Sequence, residues 1–188
     1  MKTDRQQNLQ DLLVFFLLVA IGVAGRWGQP EWCFTPMAAA AIFAGWYFSR
    51  WAIAVLVPVA ILAISDLILP AYDNIPVLLA TYIVMTLPVA LGRMQRRSQS
   101  RQASAGQWAL FALVPATLFY IVTNFAVWEF QSSYEKTFAG LMQCYAAAVP
   151  FYRWMLTGDV FYLSVLLGCW IIAAAPKFSD AETAMSAK

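Results

Sequence analysis

Six stretches of this chain are too apolar to face water, and a chain built that way has few folds open to it. By hydropathy they fall at about 9–25, 36–48, 51–69, 77–92, 108–128 and 158–175. Most approach the roughly 20 residues that a helix needs to cross a bilayer. The 188 residues are 62% hydrophobic and 12% charged, with a mean hydropathy of +0.65. A soluble domain carries roughly 25% charged residues, so lipid rather than a folded core must cover the excess apolar surface.

The expected fold class is therefore an all-α integral membrane protein, a bundle of about six transmembrane helices. Proline punctuates the spans: Pro36 opens the second, Pro70 ends the third, Pro76 precedes the fourth and Pro176 follows the sixth. The second segment is short and is expected to stop within the bilayer or to tilt little. Residues 137–152 are apolar but only about 15 long and contain Pro150. They are expected to form a short re-entrant or interfacial helix between the fifth and sixth spans. Residues 1–176 make one transmembrane domain and 177–188 a short polar cytoplasmic tail.

Basic residues set the orientation. With the N-terminus inside, the cytoplasmic face receives Lys2, Arg5, Arg50, Arg93, Arg96, Arg97, Arg101, Lys177 and Lys188, and the outer face only Arg26, Lys136 and Arg153. This asymmetry places both termini in the cytoplasm. The first apolar stretch has no convincing cleavage site and reads as a retained helix. Arginines of 93–107 act as a topology signal, with docking to anionic lipid or a partner as the alternative.

Several chemistries are excluded. There is no histidine, hence no Ser-His triad, no HExxH site and no histidine-held metal. No GxxxxGK[ST] motif occurs, so the chain has no nucleotide site of its own. Net charge is +2, which gives no nucleic-acid surface, and no cofactor is expected. Cys33, Cys144 and Cys169 lack metal-ligand spacing. Cys33 alone is a candidate, and a weak one, for ligating the metal of a bound cofactor.

Polar residues inside apolar runs mark the expected site. Asp66, in ILAISDLILP, is an intramembrane carboxylate, costing about 2.5–3.5 kcal/mol to insert unless it faces an interior cavity. Asn124 lies at comparable depth in IVTNFAVW, where hydrogen bonding between helices is the plain alternative. Trp128, Tyr134, Tyr145 and Asp159 complete a candidate outer cavity between the third, fifth and sixth spans, with Glu129, Glu135 and Arg153 nearby. Asp159, after Gly158, also fits a helix N-cap. The spacings Ala20–Ala24 and Ala40–Ala44, like Ala41–Gly45, make small-xxx-small faces, for internal packing or for docking a membrane subunit.

The run CFTPMAAAAIFAGWYF resembles the NFTPxAAxALFxGxYF pattern of a bacterial family of small membrane proteins. ISDLIL, VTNFAVW, YEKTFAGLMQCYAAAVPF and TGDVFY follow in that family's order, covering about 36–168; Cys33 stands where asparagine is usual. That family is similar in turn to the substrate-binding S components of energy-coupling factor vitamin transporters. The resemblance implies six helices, an outward vitamin pocket and an AxxxA face on the first helix. That face, here Ala20 and Ala24, docks a transmembrane coupling subunit driven by ATPases. The leading expectation is small-solute uptake, with no enzymatic activity. The alternatives are a membrane-embedded enzyme using carboxylates such as Asp66 and Asp159, or an assembly subunit without a ligand.

Overall fold

The computed structural model describes residues 4–70, 72, 74–97 and 105–174. Lys2, Arg101, Lys177, Lys188 and the 177–188 tail lie outside them, as do the side chains of Trp108 and Cys169. All regular structure among the described residues is helical: α1 (Asp4–Trp27), α2 (Met37–Tyr47), α3 (Trp51–Ser65), α4 (Ile75–Thr86), α5 (Pro88–Arg97), α6 (Ala105–Phe130) and α7 (Phe138–Ala174). Helices α4 and α5 are halves of one path bent at Leu87–Pro88. Pro88 has no N–H to give, so Leu87 closes a tighter turn onto the Val84 carbonyl instead. Three stretches are long and apolar enough to cross a membrane: Arg5–Trp27, Ile75–Arg97 and Leu110–Phe130. Large apolar side chains also cover the outside, among them Leu13, Phe16 and Leu17 of α1 and Ile83 of α4. Such a surface belongs in lipid, and the chain is a membrane protein.

Helix α2 is the hub. It touches every other helix, and each residue from Met37 to Gly45 is buried. Its 11 residues span about 16 Å, roughly half of a bilayer core of about 30 Å. The closest approach is to α5. A Cβ on Gly45 would stand 2.0 Å from the Val89 carbonyl oxygen, and one on Gly92 1.8 Å from that of Ile42. Only glycine allows backbones that near each other. Ala40 and Ala44 are fully buried inside this packing, so they hold the bundle together and offer no face to a separate subunit. Ala20 and Ala24 of α1 are exposed.

Two sequence expectations are corrected by the helix ends. Helix α3 stops at Ser65 rather than near 69, and Asp66 is its C-cap. Residues 137–152 form no separate re-entrant helix: Phe138–Ala174 is one helix of 37 residues with Pro150 inside it. Proline removes one backbone bond, and α6 holds the helix on both sides of the gap. Tyr120 Oη donates to the Tyr145 carbonyl at 2.7 Å, and the Thr117 and Tyr152 hydroxyls are 3.0 Å apart. Neighbouring-helix contacts of this kind let a membrane helix tolerate proline.

Candidate functional site

The two ends of α2 are set in opposite electrostatic surroundings. At the C-terminal end, where a helix exposes carbonyl oxygens and partial negative charge, two arginines of α5 close over it. Arg93 donates to the carbonyls of Phe48 (3.3 Å) and Ser49 (2.7 Å) and lies over the Trp51 ring. Arg96 donates to the Tyr47 carbonyl at 2.8 Å and to the Ser49 hydroxyl at 2.6 Å. Arg93 and Arg96 are therefore capping residues of α2, beyond any part they play in topology.

Near the N-terminal end lies Asp159. Pro36 precedes the helix and supplies no side-chain cap. Asp159, Thr35, Met37 and Ala38 instead line a cavity of about 10 Å³ between α2, α4, α5, α6 and α7, with Met85, Pro88, Pro115 and Met155 on its walls. That volume accommodates about one water. Asp159 is only 4% exposed, and its Oδ2 has no hydrogen-bond partner among the described residues. The positive end of α2 favours an ionised carboxylate by up to about 2 kcal/mol. Burying an ion with an unsatisfied oxygen costs several. Gly158 lets the 28–36 loop come this close, since a Cβ there would meet the Phe34 Cα and Thr35 nitrogen at 3.2 Å. Asp159 lies deep within α7, so its reading as an N-cap is corrected: the helix begins far upstream, at Phe138.

Asp66 belongs to a different cluster. Arg26 Nη1 is 2.8 Å from Asp66 Oδ1 and 2.5 Å from the Ser65 hydroxyl. Tyr82 donates to Asp66 Oδ2 at 3.0 Å, and the Trp27 indole donates to the Ser65 carbonyl at 3.1 Å. The carboxylate is thus neutralised by an arginine at the end of α1. No hollow is needed to accommodate it.

The remaining expected residues gather between α6 and α7. Asn124 donates to the Tyr120 carbonyl one turn back in its own helix, and its carbonyl accepts from Cys144 Sγ. Tyr145 donates to the Ile121 carbonyl. The Trp128 indole donates to the Glu135 carbonyl, while Lys136 lies over its ring and caps the α6 carbonyls of Trp128 and Glu129. Tyr134 lies in the loop that follows, half-buried. Arg153 is exposed and forms no ion pair among the described residues. Nine residues of α6, about 13 Å, separate Asn124 from Pro115 beside Asp159. The six expected site residues therefore occupy three places, and Asp159 alone faces the cavity.

Sequence reasoning missed Thr35, the three methionines and the two prolines of this cavity. Pro88 and Pro115 were the available signal, because a proline inside an apolar span frees a carbonyl and usually has a structural use.

Residues 6–182 match one family model. The chain belongs to the family of unknown function DUF6580. No curated protein and no solved structure gives a match. Within this DUF6580 chain, Cys33 takes φ 72°, a left-handed conformation that asparagine tolerates better than other side chains. Burial, the largest influence, pushes its thiol up to about 11 despite the nearby Arg26 guanidinium, and Asp159 adds to the rise. A thiol so held is a poor metal ligand. No cluster of three metal-ligating side chains occurs among the described residues.

Proposed function

We propose that this chain is a small-solute binding and uptake protein of the bacterial inner membrane, similar to the S components of energy-coupling factor transporters. One observation carries the reading: a half-length helix buried in the bundle, with an unpartnered carboxylate at its N-terminus. Transport proteins place substrate at such interrupted helices near the bilayer midplane, and an intramembrane carboxylate that faces a cavity is a functional one by default. Pro88 and Pro115 border the same cavity and make α4–α5 and α6 the elements that bend as it opens.

In this reading the bundle crosses the membrane six times with both termini cytoplasmic. The exposed Ala20–Ala24 face of α1 docks a coupling subunit with its ATPases. A vitamin is the ligand class that the family resemblance implies. The closed cavity holds only a water, so a vitamin-sized solute enters through an opened arrangement of the 28–36 loop and the α4–α5 bend. The enzymatic alternative is weaker, because Arg26 and Tyr82 already occupy Asp66, which leaves Asp159 without an acid–base partner.

Native mass spectrometry of the protein purified in mild detergent, with uptake by cells carrying and lacking the gene, tests the proposal. A retained small molecule, and loss of its uptake in the deletion strain, are expected. Unaltered uptake of every vitamin together with a ligand-free protein in a stable complex would make it an assembly subunit.

A further inference from the structure

The Asp159 cavity is too small for a vitamin, yet it holds a buried carboxylate. Asp159 is 4% exposed, its Oδ2 lacks a partner among the described residues, and it opens on about 10 Å³, room for about one water. Apart from Asp159 and the Thr35 hydroxyl, the lining side chains are carbon and sulfur, Met37, Met85, Met155, Pro88 and Pro115 among them.

A hard metal cation fits poorly. It needs about six oxygen ligands, and the lining side chains that carry oxygen are Asp159 and Thr35. The positive end of α2 opposes it further. An anion is opposed by Asp159 itself. A proton fits better: the positive end of α2 opposes it too, but by less than burying an unpaired carboxylate costs. On Oδ2 it removes the buried charge and turns an unsatisfied acceptor into a donor, which a single water can accept. Among the described residues, no other titratable side chain of α2, α4, α5, α6 or α7 lines the cavity. On the 28–36 loop, Cys33 is within electrostatic reach of Asp159, and Arg26 is within reach of Cys33.

We propose that this cavity is a proton site. Asp159 holds a proton in the closed cavity and exchanges it with bulk water when the cavity opens. The inference stands apart from the uptake reading, because proton occupancy is measured on the purified protein whether or not a solute moves.

Infrared difference spectroscopy of the full chain in detergent, recorded as pH rises, reads this occupancy. A protonated carboxylic acid C=O band is expected at neutral pH, shifted in heavy water and absent from Asp159→Asn. Thermal stability gives a second readout. The folded chain holds a proton that the unfolded chain has released, so raising pH withdraws stability from the wild type. Asp159→Asn, with a neutral amide, lacks that loss below pH 9, where Cys33 does not yet titrate. If that variant does not fold, Thr35→Val serves, and it shifts the frequency of the acid band. Absence of the band at every pH where the protein is folded overturns the proposal. So do identical pH profiles for wild type and Asp159→Asn, or sodium-dependent stabilisation that requires Asp159. A band without uptake sinks only the transport reading.

Discussion

Arg26 Nη1 stands 2.8 Å from Asp66 Oδ1, and this pair ties the last turn of α1 to the end of α3. Both side chains are more than four-fifths buried, so neither charge is well solvated without the other. Asp66→Asn should destabilise the protein by about 3 kcal/mol, the low end for breaking a buried pair. Removing both charges with Arg26→Met and Asp66→Leu should cost less than either single change. Thermal unfolding of wild type, Arg26→Met, Asp66→Leu and the double variant in one detergent measures the coupling.

The α2–α5 contact makes a sharper demand. Alanine at Gly45 or Gly92 puts a methyl group within about 2 Å of a backbone oxygen, and neither helix can shift without disturbing the hub. Each substitution should cost at least about 3 kcal/mol, the upper part of the overpacking range, and lower the yield of folded protein. Gly168→Ala, with nothing within 4 Å of the new carbon, should be neutral or stabilising by up to about 1 kcal/mol. Size-exclusion profiles and melting temperatures separate these outcomes.

Arg93 satisfies two carbonyls where α2 ends. Arg93→Ala should lose about 1.5–3 kcal/mol, the range for hydrogen bonds made by a charged group. Arg93→Lys should recover only part, because an ammonium lacks the planar fork that reaches both oxygens. Chemical denaturation in mixed micelles reads the order wild type, lysine, alanine.

Cys33 offers a pH signature. Its thiol is raised from 9.0 to about 11, chiefly by burial, so the folded chain keeps a proton that the unfolded chain gives up near pH 9. Stability is therefore unaffected below pH 9 and falls as pH rises from 9 towards 11. Cys33→Asn should remove that decline. It should also add up to about 1 kcal/mol by relieving the left-handed backbone. Maleimide labelling of Cys33 at neutral pH should be slow in the folded protein and fast once it is unfolded.

Much of the architecture is legible in residue order. Apolar runs locate the helices, and Gly45 beside an alanine series marks a close crossing. The errors have a common source, because each concerns what a residue meets from elsewhere in the chain. Pro150 reads as a break, yet Tyr120 and Thr117 of α6 hold α7 together across it. Asp66 reads as a lone carboxylate in a greasy span. Nothing within its own segment reveals that Arg26, forty residues earlier, neutralises it. Ala40 and Ala44 read by default as an internal packing face, with docking as the alternative, and the folded bundle buries both.

Composition and periodicity alone determined that this chain is helical and lies in lipid, since transfer of apolar surface depends on how much there is and hardly on its arrangement. Which of two acidic residues faces a cavity was decided only by the tertiary structure. A carboxylate's environment is set within a few ångströms, by Arg26 and Tyr82 around Asp66 and by Thr35 and the first turn of α2 beside Asp159. Those neighbours are distant in sequence, and only folding brings them within range.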